Sequence, residues 1–195
     1  MHSKKISILA LVGFATASGY CEAQDLIVNG QFDTGSAPWT VEQTTTVPAT
    51  WVAEDCCGNP NSGSITFGTV MSSRLLSNCM LTTAGADHDF LITLWLTHSV
   101  PTFPGSASAT VEWFSGSNCD GARVAETRYE FNTIEYTNAW TQRGTRLTSP
   151  AGTMSARLVI STSSGLSNFT TARIDDVRFG VAESVPVGLL SFSVD

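Results

Sequence analysis

Residues 172–180 read Ala-Arg-Ile-Asp-Asp-Val-Arg-Phe-Gly, and the rest of the chain is organised around them. Ile174, Val177 and Phe179 ask for burial in a strand, yet two adjacent carboxylates, Asp175 and Asp176, sit among them. A bare charge pair in such a place costs several kcal/mol, so a counter-charge must meet at least one of the two. At the other end of the chain, residues 26–33 read Leu-Ile-Val-Asn-Gly-Gln-Phe-Asp, a short apolar strand running into a turn that carries its own carboxylate, Asp33. The two ends frame one domain.

What lies between them alternates with the period of strands. In residues 90–98, Phe90, Ile92, Leu94 and Leu96 alternate with Leu91, Thr93, Trp95 and Thr97, which gives one wholly apolar face and one half-polar face carrying a lone Trp. Residues 107–115 repeat the pattern, with Ala109, Val111 and Trp113 on one side, and residues 156–161 do so more weakly. Pro48 places residues 44–54 at a sheet edge, because proline cannot donate to a central ladder. Residues 55–63 form a loop through Gly58, Asn59, Pro60, Asn61 and Gly63. Residues 123–131, with Tyr129, and a loop with Tyr136 follow. No repeat, heptad or long amphipathic helix interrupts this, so the chain reads as all-β, and 195 residues suffice for one domain with a real core.

Residues 1–23 read as a signal peptide, with His2, Lys4 and Lys5 ahead of an apolar run and small residues after it. That run is too short for a retained membrane span. Cleavage after Ala23 leaves eight arginines against sixteen acids, a formal charge of −8. An acidic body without a basic cluster argues against nucleic acid and against membrane insertion or anionic membrane surfaces. The expected compartment is secreted, extracellular or periplasmic. There an even set of cysteines, Cys56, Cys57, Cys79 and Cys119, reads as two disulfides. No Cys-x-x-Cys spacing or His partner supports zinc.

The Asn-Gly-x-Phe-Asp opening at residues 29–33, the Trp39 that follows, the Trp140-Thr141 strand with Pro150-Ala151-Gly152 behind it, and the closing Ile-Asp-Asp-Val at 174–177 together resemble secreted carbohydrate-binding modules of the galactose-binding-like class, CenC-type. The resemblance covers roughly residues 25–180. It implies a jelly-roll β-sandwich of two antiparallel sheets over residues 24–180, with residues 181–195 as a tail or extra edge strand. It also implies a Cys79–Cys119 bridge across strands, worth roughly 4 kcal/mol on the chain-entropy model. Cys56 and Cys57 are then left with each other, where a vicinal bridge would be strained, or they exchange partners with Cys79, Cys119 or an uncleaved Cys21. A structural calcium is implied as well: Asp33 stands where the family often has Glu, Asp175 is the partner from the last strand, and Asp176 is the second choice. The same acids could instead cap turns or pair with Arg173 or Arg178.

No Gly-x-Ser-x-Gly elbow, His-Glu-x-x-His or phosphate-binding glycine loop is present. His88 and His98 flank one strand and read as polar strand-end residues. Asp175 and Asp176 are adjacent, which is a poor arrangement for the two separated carboxylates of a glycosidase, so no enzyme is expected. The expected function is non-catalytic carbohydrate binding. Pyranose rings stack on aromatic side chains, and Trp51, Trp95, Trp113, Tyr129 and Tyr136 are the available platforms, with Gln142, Arg143 and Arg146 as polar partners. The alternative is a structural or adhesive extracellular domain on the same fold without a sugar site.

Overall fold

The computed structural model describes residues 25–43, 49–59, 61–67, 73–97, 106–131, 138–163 and 172–182. The signal segment, His98, Tyr136 and residues 183–195 lie outside the described residues. Eleven strands run in chain order: β1 (Thr40–Gln43), β2 (Thr50–Val52), β3 (Ser64–Phe67), β4 (Ser73–Leu76), β5 (Met80–Leu81), β6 (Asp87–Leu96), β7 (Ser106–Phe114), β8 (Arg123–Phe131), β9 (Trp140–Thr148), β10 (Ser155–Ser163) and β11 (Ala172–Val181). They form a six-stranded sheet in the order β1-β4-β10-β7-β8, with β5 also on β10, and a five-stranded sheet in the order β2-β3-β11-β6-β9. Every strand pairing is antiparallel. The architecture is a jelly-roll β-sandwich.

The period-2 pattern decides which side of each strand enters the core. Phe90, Ile92, Leu94 and Leu96 of β6 meet Ala109, Val111 and Trp113 of β7 and Leu158 and Ile160 of β10 in one apolar cluster, all nearly or fully buried. Burial of each large side chain supplies roughly 1.5–3 kcal/mol. Trp113 is 0% exposed, with Nε1 donating to Thr127 Oγ1 at 3.0 Å. It has no free ring face and is therefore a core residue, not a sugar platform.

Two expectations fail for physical reasons. Residues 26–28 form no strand beyond an isolated bridge from Asp25 to Gly180. Side chains take over the work of a ladder there: Ile27 N–H donates to Asp25 Oδ1, Val28 N–H donates to Asn78 Oδ1, and Asn78 Nδ2 donates to the Leu26 carbonyl. His88 is no exposed strand-end residue but is 0% exposed, stacked on Phe179 at 4.9 Å and 12° and 5.9 Å from Trp113. Alternation puts it on the same face as Phe90, two residues before it, so the buried row of β6 extends past the start of the apolar run.

The Asn-Gly opening packs against the closing strand. Val177 N–H donates to the Gly30 carbonyl at 2.9 Å, and a Cβ on Gly30 would run into the Val177 carbonyl oxygen, so the turn needs glycine at that point. Val177 lies in a bulge, because the register of β11 on β6 shifts between Asp175 and Arg178. Asp176 takes φ +44°, a left-handed conformation that Asp tolerates better than most residues.

Candidate functional site

The two outer faces of the sandwich differ in chemistry. On the six-stranded sheet, Glu112 is 5% exposed and gathers three guanidinium groups: Arg157 through Nε and Nη2 at 3.2 and 2.7 Å, Arg123 at 3.3 Å and Arg74 at 3.4 Å. Arg74 and Arg123 reach on to Glu42 and Glu126, and Arg128 pairs with Glu130. Arg157 also lies 5.4 Å over the Phe114 ring. The named cations and carboxylates of this face are engaged with one another.

The outer face of the five-stranded sheet carries aromatics instead. Because Leu94 and Leu96 enter the core, Trp95 points outward, and register sets it beside Trp140 of β9 on one side and Arg173 of β11 on the other. The two half-buried indoles meet edge to face, with centroids 5.8 Å apart and planes at 81°. One step along, Thr93 lies between Gln142 and Asp175. Arg173 forms an ion pair with Glu54.

At the Asp175 end the loop of residues 53–59 folds over this face. Cys56 N–H donates to Asp175 Oδ2 at 3.0 Å and Asp176 N–H donates to Asp175 Oδ1 at 2.7 Å, leaving Asp175 1% exposed. Burial, opposed by those two N–H groups and reinforced by the Asp55 carboxyl, pushes Asp175 up to about 7. Burial acts to raise Asp55 too, but hydrogen bonds from Asn59 N–H, the Asp175 carboxyl and the Cys57 and Gly58 backbone outweigh it and hold Asp55 below the ordinary range. Below about pH 7 the pair therefore holds one proton, on Asp175. Asp55 Oδ1, buried and otherwise without a partner, is the acceptor left for it. In this loop Cys56 and Cys57 are bridged to each other, and Cys79 is bridged to Cys119.

Calcium does not fit these residues. Asp176 Oδ1 is held by Arg178 through Nε and Nη2, both at 2.7 Å, so a guanidinium stands where a cation would. Asp175 accepts from two backbone N–H donors, one on each oxygen, and Asp33 is exposed with its N–H on Asn29 Oδ1. Among the described residues the one group of three or more metal-type side chains with ligand atoms within 4.8 Å is Asp55, Cys56 and Cys57, whose sulfurs are bonded to each other. Asp33, Asp175 and Asp176 make no such group.

The remaining platforms fall in different places. Trp51 sits on the edge strand β2, 37% exposed, with Nε1 donating to the Phe32 carbonyl at 2.7 Å and Gly63 against its ring. It pairs with buried Ile65, so it belongs to a different row from Trp95. Tyr129 is half-buried on the inner side of β8, edge-on to Phe131 at 5.4 Å. Arg146 is bidentate on Asp89, and Arg143 Nη1 donates to the Gln142 carbonyl. Trp140 was legible only as part of a strand motif. Its partnership with Trp95 depends on the β6–β9 register, which no local pattern carries.

No family model matches the sequence, and no curated protein matches it. Structures do. The chain superposes on the enzymatically active domain of bacteriophage CBA120 tailspike protein 4 with a TM-score of 0.64 at 17% identity, over 80% of this chain and 21% of the tailspike. It superposes on TmCBM61, solved in complex with β-1,4-galactotriose, with a TM-score of 0.54 at 14% identity, over 82% of this chain and 99% of that one. A family 16 carbohydrate-binding module gives 0.56 at 13% identity, over 80% and 99%. These likenesses show the fold, a jelly-roll β-sandwich of two antiparallel sheets. The chain spans about one fifth of the tailspike and essentially the whole length of the two modules. Among its described residues no helix is long and apolar enough to cross a membrane.

Proposed function

We propose that this chain is a secreted, non-catalytic carbohydrate-binding module whose platform is the Trp95–Trp140 pair. The observation that carries the reading is the pair itself, two indoles side by side on the outward face of a sheet, flanked by Gln142, Thr93 and Arg173. The apolar face of a pyranose ring stacks on indole, and the Gln142 amide and Arg173 guanidinium beside it are suited to ring hydroxyls. The solved complex of TmCBM61 with β-1,4-galactotriose is a precedent for sugar binding on this architecture. Two disulfides suit an oxidising compartment outside the cytosol. Asp55 and Asp175 are close enough to share a hydrogen bond, whereas a glycosidase separates its acid and base by about 5 Å or more.

The test is binding of oxidised protein to a panel of insoluble polysaccharides and soluble glycans. Trp140→Ala and Trp95→Ala should each weaken binding to the responsive glycan by about five- to tenfold, the cost of losing one stacked ring at roughly 1–1.5 kcal/mol. Trp51→Ala should leave it within twofold. Saturable binding that survives both tryptophan changes would move the site off this face. No binding anywhere on the panel, from protein that still melts cooperatively, would favour a structural or adhesive domain.

A further inference from the structure

The sandwich is open along one side, where the edge strands of the two sheets, β8 and β9, face each other without pairing. Small residues stand at the inward positions there. Ala109 of β7 lies beside Tyr129, and Thr145 of β9 lies opposite Phe90. The result is a cavity of about 120 Å³ floored by Phe90, Ala109 and Leu158, each 2% exposed or less, and rimmed by half-buried Leu147, Thr145 and Tyr129. An enclosed apolar void of about 150 Å³ takes benzene, and this smaller pocket, open to solvent beside Thr127 and Arg128, is of the right order for a single small ring. A buried apolar floor under a rim with a few polar groups is also the usual make-up of a small-ligand pocket.

We propose that this gap is a second binding site, for one small aromatic ring bearing a polar substituent, with the ring between Phe90, Ala109 and Leu158 and its polar edge toward Tyr129 and Thr145. It is independent of the tryptophan face, because on β9 Trp140 and Gln142 point outward while Thr145 and Leu147 point inward. A phenolic or benzyl-type group fits the description; a pyranose, with hydroxyls all round its rim, does not.

Phenol and benzene are the probes, titrated into the oxidised protein while the methyl signals of Val111, Leu147 and Leu158 are followed by NMR. Saturable shifts confined to these methyls are expected, with phenol about fivefold tighter than benzene for one added hydrogen bond. Ala109→Leu, which fills the floor, should abolish both titrations and leave glycan binding unchanged. If that variant fails to fold, Thr145→Ile fills the cavity from the opposite sheet and should do the same. Absence of saturable shifts up to the solubility of either probe overturns the proposal. So do shifts that persist in a folded, cavity-filled variant.

Discussion

Replacing both Cys79 and Cys119 by serine is expected to cost about 4 kcal/mol of folding stability and to lower the melting temperature by roughly 10 °C. The bridge closes a loop with a sequence separation of 40. In the chain-entropy model it removes that loop's freedom from the unfolded ensemble. It also ties the short strand β5 to the turn between β7 and β8, where Cys119 takes φ +56° and its N–H donates to Ser155 Oγ at 2.9 Å. The contrast is the other bridge. Cys56 and Cys57 are neighbours in sequence and their link closes almost no loop, so replacing both with serine should move the melting temperature far less. Urea or thermal unfolding of the two double variants beside the parent protein reads both effects. A loss within 2 °C for the Cys79 and Cys119 variant would mean that the turn's own hydrogen bonds, such as Gly116 N–H to the Asp120 carbonyl, already hold it in the unbridged chain.

Strand content and the inner face of the sandwich were legible in the sequence because both follow from a period of two, as the run from Phe90 to Leu96 shows. The same rule explains the misreadings. His88 continues the buried row of β6, but a polar residue ahead of an apolar run reads as its boundary, and only the stacking partners Phe179 and Trp113 reveal a buried imidazole. Residues 26–28 are as apolar as a strand, yet apart from the Leu26 N–H, which donates to the Phe179 carbonyl, their backbone bonds go to Asp25 and Asn78 side chains, the second of them about fifty residues away. The need for neutralisation at Asp175 and Asp176 was visible from burial alone. Which neutraliser served each stayed open: of the two arginines the sequence offers, Arg178 pairs with Asp176, and a carboxyl from the loop of residues 53–59 reaches Asp175, which no local pattern shows. For the same reason sequence could list Trp95 and Trp140 but not join them.

The shared proton makes stability depend on pH in a direction unusual for an acid. In the unfolded chain Asp175 ionises near 3.8, whereas in the folded chain its value is about 7. A group raised on folding contributes stability that is complete below the lower value and is lost as pH climbs through the higher one. At about 1.4 kcal/mol for each pH unit, the loss between pH 4 and pH 7 is at most about 4 kcal/mol. His88 works the other way. Burial against aromatic rings, with both ring nitrogens unbonded, lowers its value below 6.5 despite the charges of Asp87 and Asp89. Its contribution is present above pH 6.5 and is lost as pH falls. The two slopes oppose each other, so the His88 contribution offsets part of the Asp175 loss in the parent protein below pH 6.5. Asp175→Asn, which keeps a neutral side chain able to donate to Asp55, should gain on the parent from pH 4 to about pH 7 and level off above it, and should expose the His88 slope as a loss of stability on acidification. His88→Phe should show the reverse, a protein that weakens as pH rises. Denaturant unfolding of the three proteins at unit steps of pH measures this, run once with calcium and once with a chelator. Equal curves in both are expected if a proton bridges Asp55 and Asp175. A calcium-dependent rise at pH 8 in the parent that disappears in Asp175→Asn would instead mean that the two carboxylates give up their proton to hold a metal ion.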